Sequence, residues 1–461
     1  MSANLILISD SYKYSHIPQY PPNTEYISCY IESRGGAKES VFFGLQAFIK
    51  QYLLSPITKE MIDEAEDVVL AHGLPFFRDP WDIIVNEFQG NLPISIQAVS
   101  EGTVMPTSNA QVQITNTDKR FFWLPSFLET AILRAVWYPS TVATKSREMK
   151  KLLIQAIEET SDGAVFPQIY FKLHDFGARG ATSHESASIG ALGHLLNFMG
   201  TDTIEAIVSA KRYYNENMAG WSIPASEHAT ITSWGSANEQ QAFENMIDQF
   251  AGKDKIYACV SDSYNIYHAV GHLWGEVLKE KIISKGGTLV VRPDSGDPTV
   301  VPIDVIKILM SKFGFETNSK GYKVLPSYIR VIQGDGITED SLQVILKNLK
   351  EEKLSIDNIA FGMGGGLLQA WNRDTLKYAM KTSAIKKSDS KDWENVFKKP
   401  IHGGKTSKAG RLALIFNEGR YETILEKELG NKLNMLHEVY RNGELLIDQT
   451  LEEIRANVRD S

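Results

Sequence analysis

The chain has 461 residues, 43% of them hydrophobic and 23% charged, enough apolar content for a large core and too much for a disordered or collagen-like protein. Its 48 Lys and Arg against 56 Asp and Glu give a net charge of -8, so no nucleic-acid or membrane partner is expected and any anion site must be local. Cys29 and Cys259 are too few for a disulfide framework, and no run of about eighteen uncharged apolar residues occurs, so a soluble, cytoplasmic protein is expected.

In chain order, the first ~145 residues hold short strand-like runs, Thr24 to Tyr30, Ile94 to Val99 and Val112 to Asn116, with helices between them. A different grammar follows, in which an apolar run ends in Asp, Gly, Ser or His and a helical pattern comes next. Ile169 to Leu173 ends in His174-Asp175-Phe176-Gly177, Ile256 to Val260 in Ser261-Asp262-Ser263, and Thr288 to Val291 in Arg292-Pro293-Asp294-Ser295-Gly296. Tyr328 to Ile332 ends in Gln333-Gly334-Asp335-Gly336, and Ile356 to Phe361 in Gly362-Met363-Gly364-Gly365-Gly366. After Pro302, Val305, Ile308, Leu309 and Phe313 share one helical face. Strands alternating with helices imply a parallel sheet with right-handed crossovers. An open doubly wound sheet gathers its chemistry at one switch point, whereas a barrel spreads it over the ends of many strands, as here. The C-terminal stretch returns to short strands, Leu412 to Phe416 and Tyr421 to Ile424. The expectation is an α/β protein: an irregular (β/α) barrel over residues 146–384, with a companion α+β domain built from both chain ends, 1–145 and 385–461.

Several of these strand ends carry chemistry. Arg292 can clamp an anionic oxygen, and Asp294 can accept from sugar hydroxyls or help hold a metal, although Pro293-Asp294-Ser295-Gly296 also reads as a plain turn. Gly364-Gly365-Gly366 at a helix start leaves N–H groups bare for a phosphate. Gly334-Asp335-Gly336 is either a second open backbone with a carboxylate or an Asp-Gly turn. His228 can donate, accept or be phosphorylated, with Glu227 placed to orient it, and Asp202 reads as a helix N-cap. Lys381, Lys398, Lys399, Lys405, Lys408 and Arg411 form a basic stretch, a solvated loop or an anion-binding lid. No GxSxG, HExxH or Walker A sequence occurs. These residues describe an α/β enzyme for a small phosphorylated, ribose-like molecule.

The chain resembles the nicotinamide phosphoribosyltransferases, a type II phosphoribosyltransferase family, over nearly its whole length. The resemblance is carried by Asp10-Ser11-Tyr12-Lys13, Gln19 to Thr24, Trp137-Tyr138-Pro139, Thr141 to Thr144, Lys172 to Gly177 with Arg179-Gly180, Phe198 to Thr203 and Pro224 to His228. It continues through Val291 to Gly296, Arg330 to Gly336 and Gly364 to Gln369. It implies transfer of phosphoribose from phosphoribosyl pyrophosphate to nicotinamide, giving nicotinamide mononucleotide and pyrophosphate, in a homodimer with active sites at the subunit interface. By position, Phe176 and Tyr12 of the partner subunit would sandwich the pyridine ring, and Asp202 would accept from the carboxamide. Arg179, His228 and Arg292 would hold pyrophosphate, with Pro293 beside them, while Asp294 would serve ribose and the Mg2+ shell. Gly334, Asp335, Gly364, Gly365 and Arg373 would cradle the ribose phosphate. ATP would be an activating co-substrate that phosphorylates the histidine. Asn265 stands where vertebrate members of the family carry an aspartate near that histidine, which leaves open whether ATP coupling is altered here. The competing readings are a nicotinate phosphoribosyltransferase, whose substrate carboxylate Asp202 would repel, and a non-catalytic binding or signalling protein on the same scaffold.

Overall fold

The computed structural model describes residues 4–401 and 406–459, and the chain divides into two compact units. One unit is Lys145–Ser209 with Asn217–Ala370; the other takes both chain ends together with Ala210–Glu216. The second boundary therefore falls at Ala370 and not near 384. The physical reason is Ala379–Lys387, a strand that pairs antiparallel with Thr24–Glu32 and so belongs with the chain ends.

The unit made from the chain ends is built on a seven-stranded sheet. Thr24–Glu32 lies between Ala379–Lys387 and the central strand Ala110–Asn116, and Ile94–Ala98 and His437–Arg441 extend the sheet beyond it. Period-2 alternation sends Ile27, Cys29 and Ile31 into a core that also holds Trp81, Trp123 and Phe127, whose rings meet edge-on at 5.0–5.4 Å. Three members of the basic stretch, Lys381, Lys408 and Arg411, are in ion pairs here. Lys408 donates to Glu32 and Arg411 to Glu426, which gives no support to an anion-binding lid; Lys405 lies outside the described residues.

Glu101 is buried in this unit, and its Oε1 accepts from the N–H groups of Gly44 at 3.1 Å and Gln46 at 2.7 Å. Burial pushes its carboxyl up to about 7, outweighing those bonds and the Tyr214 hydroxyl. A carboxyl that holds its proton more tightly folded than unfolded stabilises at low pH, and that stability is lost as pH rises toward the folded value. Glu101→Gln keeps an acceptor for both N–H groups and removes the charge. Its Tm is expected to exceed wild type at about pH 8 and to match it at about pH 4.5, as calorimetry would show.

The other unit holds six parallel strands in the order Gly200–Thr201, Leu173–Asp175, Ile359–Met363, Ile329–Gln333, Thr288–Arg292, Ile256–Val260. Its two edges are joined through one extended segment. Trp221 bridges to Gly200, and four residues later Ala225 bridges to Ala258, both in parallel sense. The amides of Thr201 and Trp221 bond across one seam, and those of Ser226 and Ala258 across the other. The sheet thus curls into an irregular barrel closed by a segment too short to register as a strand. The apolar run Ile169 to Leu173 differs from expectation: Ile169–Phe171 is a 3-10 turn and only Leu173–Asp175 pairs.

Alternate residues of these strands point inward. Ala258, Val290, Ile332 and Ala360 line the interior, with Phe176 and Ile223 packed against them. Barrel interiors are ordinarily filled with bulky branched side chains. The alanines at 258 and 360 leave instead a cavity of about 640 Å³. Among the described residues no helix is long and apolar enough to cross a membrane.

Candidate active site

The functional side chains stand at the carboxyl ends of the barrel strands, where the loops after each strand converge. Phe176 follows Leu173–Asp175, and its amide donates to the Met363 carbonyl at 2.9 Å. The ring lies flat along the neighbouring strand because position 362 is glycine: a Cβ there would sit 2.0 Å from Phe176 Cε2. Arg292 faces the same ring at 5.5 Å, a cation–π contact.

Asp202 lies at the mouth of the cavity with Phe176, His174 and Ser222. It does not cap a helix. Thr203 is the residue immediately before helix Ile204–Tyr214, and the Asp202 Oδ1 accepts instead from Ser222 Oγ at 2.5 Å. Nε2 of the half-buried His174 bonds the Phe171 carbonyl at 3.0 Å, and desolvation lowers its pKa, which favours the neutral imidazole. Deeper in the cavity the Lys172 ammonium donates to the carbonyls of Ile356 and Ile359, at 2.7 and 3.1 Å. Burial pushes it down to about 8.

A second cluster surrounds His228, the first residue of the short helix His228–Thr232. Its ring is oriented by Asp262, whose Oδ1 lies 3.0 Å from Nε2, and not by Glu227, whose amide donates to Thr230 Oγ1. Asp262 is itself fixed, its Oδ2 accepting from the Asp294 amide at 3.0 Å and from Ser295 Oγ at 2.5 Å. An ionised carboxylate only accepts, so Nε2 carries the proton and Nδ1 keeps its lone pair. Asp294 Oδ2 lies 3.9 Å from that Nδ1, while its Oδ1 accepts from the Arg292 Nε and a terminal guanidinium nitrogen at 3.0 and 2.8 Å. Asn265, expected to replace the acid near the histidine, is a helix cap: its Oδ1 accepts from the His268 amide at 3.1 Å. The carboxylate is present, supplied from position 262.

The glycine loops close the circle. A Cβ on Gly365 would meet nothing within 4 Å, and its φ needs no glycine, so the packing of this chain does not require the bare backbone there. Open backbone N–H groups at that place suit an anionic oxygen. Gly334 is more constrained: its Cβ would come 3.2 Å from Phe176, 3.4 Å from Arg292 and 3.5 Å from Asp294, and Asp335 follows it. Pro293 stands between Arg292 and Asp294, and Arg179 is exposed on the turn Ala178–Gly180, whose Gly180 approaches the Gly365 backbone. Tyr12 and Arg373 belong to the other unit, Tyr12 exposed on the turn Ser11–Ser15 and Arg373 beside Asp374 at 3.2 Å.

Among the described residues no three His, Cys, Asp or Glu side chains form a metal cluster. Asp294, with Oδ1 clamped by Arg292 and Oδ2 accepting no hydrogen bond but facing His228 Nδ1 at 3.9 Å, is of the donor type that suits a Mg2+ ion arriving with substrate phosphates and taking one or two carboxylates from the protein.

The fold has solved relatives. The structure matches nicotinate-nucleotide pyrophosphorylase from Pyrococcus furiosus with a TM-score of 0.64 at 15% identity, over 99% of this chain and 95% of that one. It matches human nicotinic acid phosphoribosyltransferase at 0.57 and 16%, over 99% and 93%. This is the type II phosphoribosyltransferase fold. The model of the nicotinate phosphoribosyltransferase (NAPRTase) family matches residues 171–444, and that of the nicotinamide phosphoribosyltransferase N-terminal domain matches residues 4–96. The chain is 48% identical to the nicotinamide phosphoribosyltransferase of Xanthomonas campestris pv. campestris over 98% of both chains. It is 32% identical to that of Mycoplasma pneumoniae over 86% of this chain and 92% of the other. The chain belongs to the nicotinamide phosphoribosyltransferase family.

Proposed function

We propose that the chain transfers phosphoribose from phosphoribosyl pyrophosphate to nicotinamide, forming nicotinamide mononucleotide and pyrophosphate in NAD salvage. The carrying observation is Asp202, an acceptor-only carboxylate at the cavity mouth beside the Phe176 ring. A carboxamide NH2 is attracted there, and the carboxylate of nicotinate is repelled. The pyridine nitrogen attacks the anomeric carbon of ribose, forming the N–C bond as the bond to pyrophosphate oxygen breaks. The nitrogen lone pair is already a nucleophile, so no general base is required, in keeping with the absence of a triad motif. Phe176 stacking aligns the nitrogen for in-line attack, an effect of orientation. Positive charge grows on ribose while negative charge grows on the leaving pyrophosphate. Arg179 and Arg292 oppose the latter, and the N–H groups at Gly334, Gly364 and Gly365, with Asp335, hold the ribose phosphate. Asp294 would hold a Mg2+ ion, which would supply positive charge against the phosphate oxygens.

ATP acts through His228, whose Nδ1 lone pair forms the N–P bond to the γ-phosphorus as the bond to the bridging oxygen breaks and ADP leaves, while Asp262 holds the proton on Nε2. The added charge of roughly -2 then lies beside the pyrophosphate-binding arginine. The protein works as a homodimer in which Tyr12 of the partner subunit covers the second face of the ring. Mixing inactive Tyr12→Ala with inactive Asp294→Ala protein is expected to restore part of the activity, because one site in the heterodimer is intact. Demonstrated subunit exchange without recovery would remove the shared site. The reading itself is tested by parallel assays with nicotinamide and nicotinate, with and without ATP. Turnover of nicotinate alone would replace it by the nicotinate activity, and turnover of neither would leave a binding protein.

A further inference from the structure

We propose that Asp175 is the positioning residue of the base site, a single buried carboxylate that sets the ring-stacking side chain and the amide acceptor together. The inference rests on the reading of Phe176 and Asp202 as the base-binding pair. Asp175 ends the strand Leu173–Asp175 and is 0% exposed. Its Oδ1 accepts from the Gly177 amide at 2.8 Å, which closes the turn carrying Phe176. Its Oδ2 accepts from Thr201 Oγ1 at 2.9 Å and Thr203 Oγ1 at 2.6 Å, the residues on either side of Asp202. Its carbonyl accepts from the Asp202 amide at 2.9 Å, and Thr203 N donates to Thr201 Oγ1 at 3.0 Å, so the loop is held at all three residues.

Packing alone does not explain a carboxylate here. Its side-chain partners are one amide and two hydroxyls, none of them a cation, and the neighbouring Asp202 has the same sign. A buried charge without a counter-ion is costly, and a neutral side chain of similar size would fill the space at less expense. What the ionised form supplies is acceptor capacity on both oxygens at once, directed to two different loops. One oxygen fixes Phe176 and the other fixes Asp202. The ring that stacks on the face of the base and the carboxylate that accepts from its carboxamide therefore share one anchor. The Arg292–Asp294 pair and the Gly364–Gly366 backbone are not among the partners of this carboxylate.

The test is Asp175→Ala in the full-length protein, with Thr203→Val as a milder variant that removes one bond to Oδ2. In Asp175→Ala the KM for nicotinamide is expected to rise about tenfold or more, while the KM for phosphoribosyl pyrophosphate stays within about twofold. The preference for nicotinamide over nicotinate should fall with it. In an Asp202→Ala background, Asp175→Ala should not change that preference further, since the residue acts through Asp202. Thr203→Val should move the same quantities in the same direction by less, and it decides the matter if Asp175→Ala does not fold. A parallel rise in both KM values, or full additivity with Asp202→Ala, would show a merely structural role and overturn the proposal. Wild-type protein assayed alongside separates the two readings, because a lack of nicotinamide turnover there counts against the proposed function only. Crystal positions of Phe176 and Asp202 in the variant then decide: displacement of both supports the common anchor, and unmoved side chains refute it.

Discussion

His228→Ala is expected to abolish ATP hydrolysis and, with it, the lowering of the nicotinamide KM by ATP. The ring offers one free lone pair, on Nδ1, because Asp262 lies 3.0 Å from Nε2 and holds the proton there. Asp262→Asn keeps the shape but lets the amide NH2 face Nε2, which favours the wrong tautomer. Its rate of histidine phosphorylation is expected to fall by about two orders of magnitude or more. Asn265→Asp should leave that rate within about twofold, because a carboxylate caps a helix start as well as an amide does. Transfer of label from γ-labelled ATP to the protein measures all three. Labelling of His228→Ala at wild-type rate would mean that ATP acts elsewhere, and a large gain in Asn265→Asp would return position 265 to the mechanism.

Asp202→Asn is expected to lower kcat/KM for nicotinamide by about tenfold to a hundredfold, the worth of one charge-assisted hydrogen bond. Turnover of nicotinate should rise. Ser222 decides the direction, since its hydroxyl donates to Oδ1 at 2.5 Å. In the variant that bond holds the amide oxygen, which leaves the NH2 group facing the base. An NH2 donor repels the carboxamide NH2 and attracts the carboxylate of nicotinate. Competition between the two bases in one reaction reads the ratio, and an unchanged ratio would sink the role given to Asp202.

Much of the barrel is legible in the sequence because each strand is a local apolar run with its own terminator. Ile256 to Val260 needs no tertiary information to be read as a strand, and its observed bounds are the same. The chemistry at the strand ends is also legible, since Arg292, Asp294 and the Gly364–Gly366 run are contiguous motifs. Contiguity is also the limit. The first residue of Ile169 to Leu173 satisfies the same apolar rule, yet only the last of the run pairs, because pairing depends on where Ile359–Met363 lies.

What the sequence by itself determined is the alternating α/β pattern, the companion made from both chain ends, and the kinds of side chain that stand at the strand ends. Only the tertiary structure decided which of those side chains act on one another. The partner of His228 is Asp262, 34 residues away, and not the adjacent Glu227 or the suspected Asn265. Ser222 is set against Asp202 across 20 residues, and Asp175 joins Phe176 to a loop whose threonines lie 26 and 28 residues on. Closure of the barrel by Trp221–Ala225 has no strand signal at all, since two isolated bridges suffice. The reason is common to all of these. Strand formation depends on neighbours along the chain, whereas a hydrogen bond between loops depends on how parallel strands are ordered in the sheet, and that order is fixed by burial of the whole core.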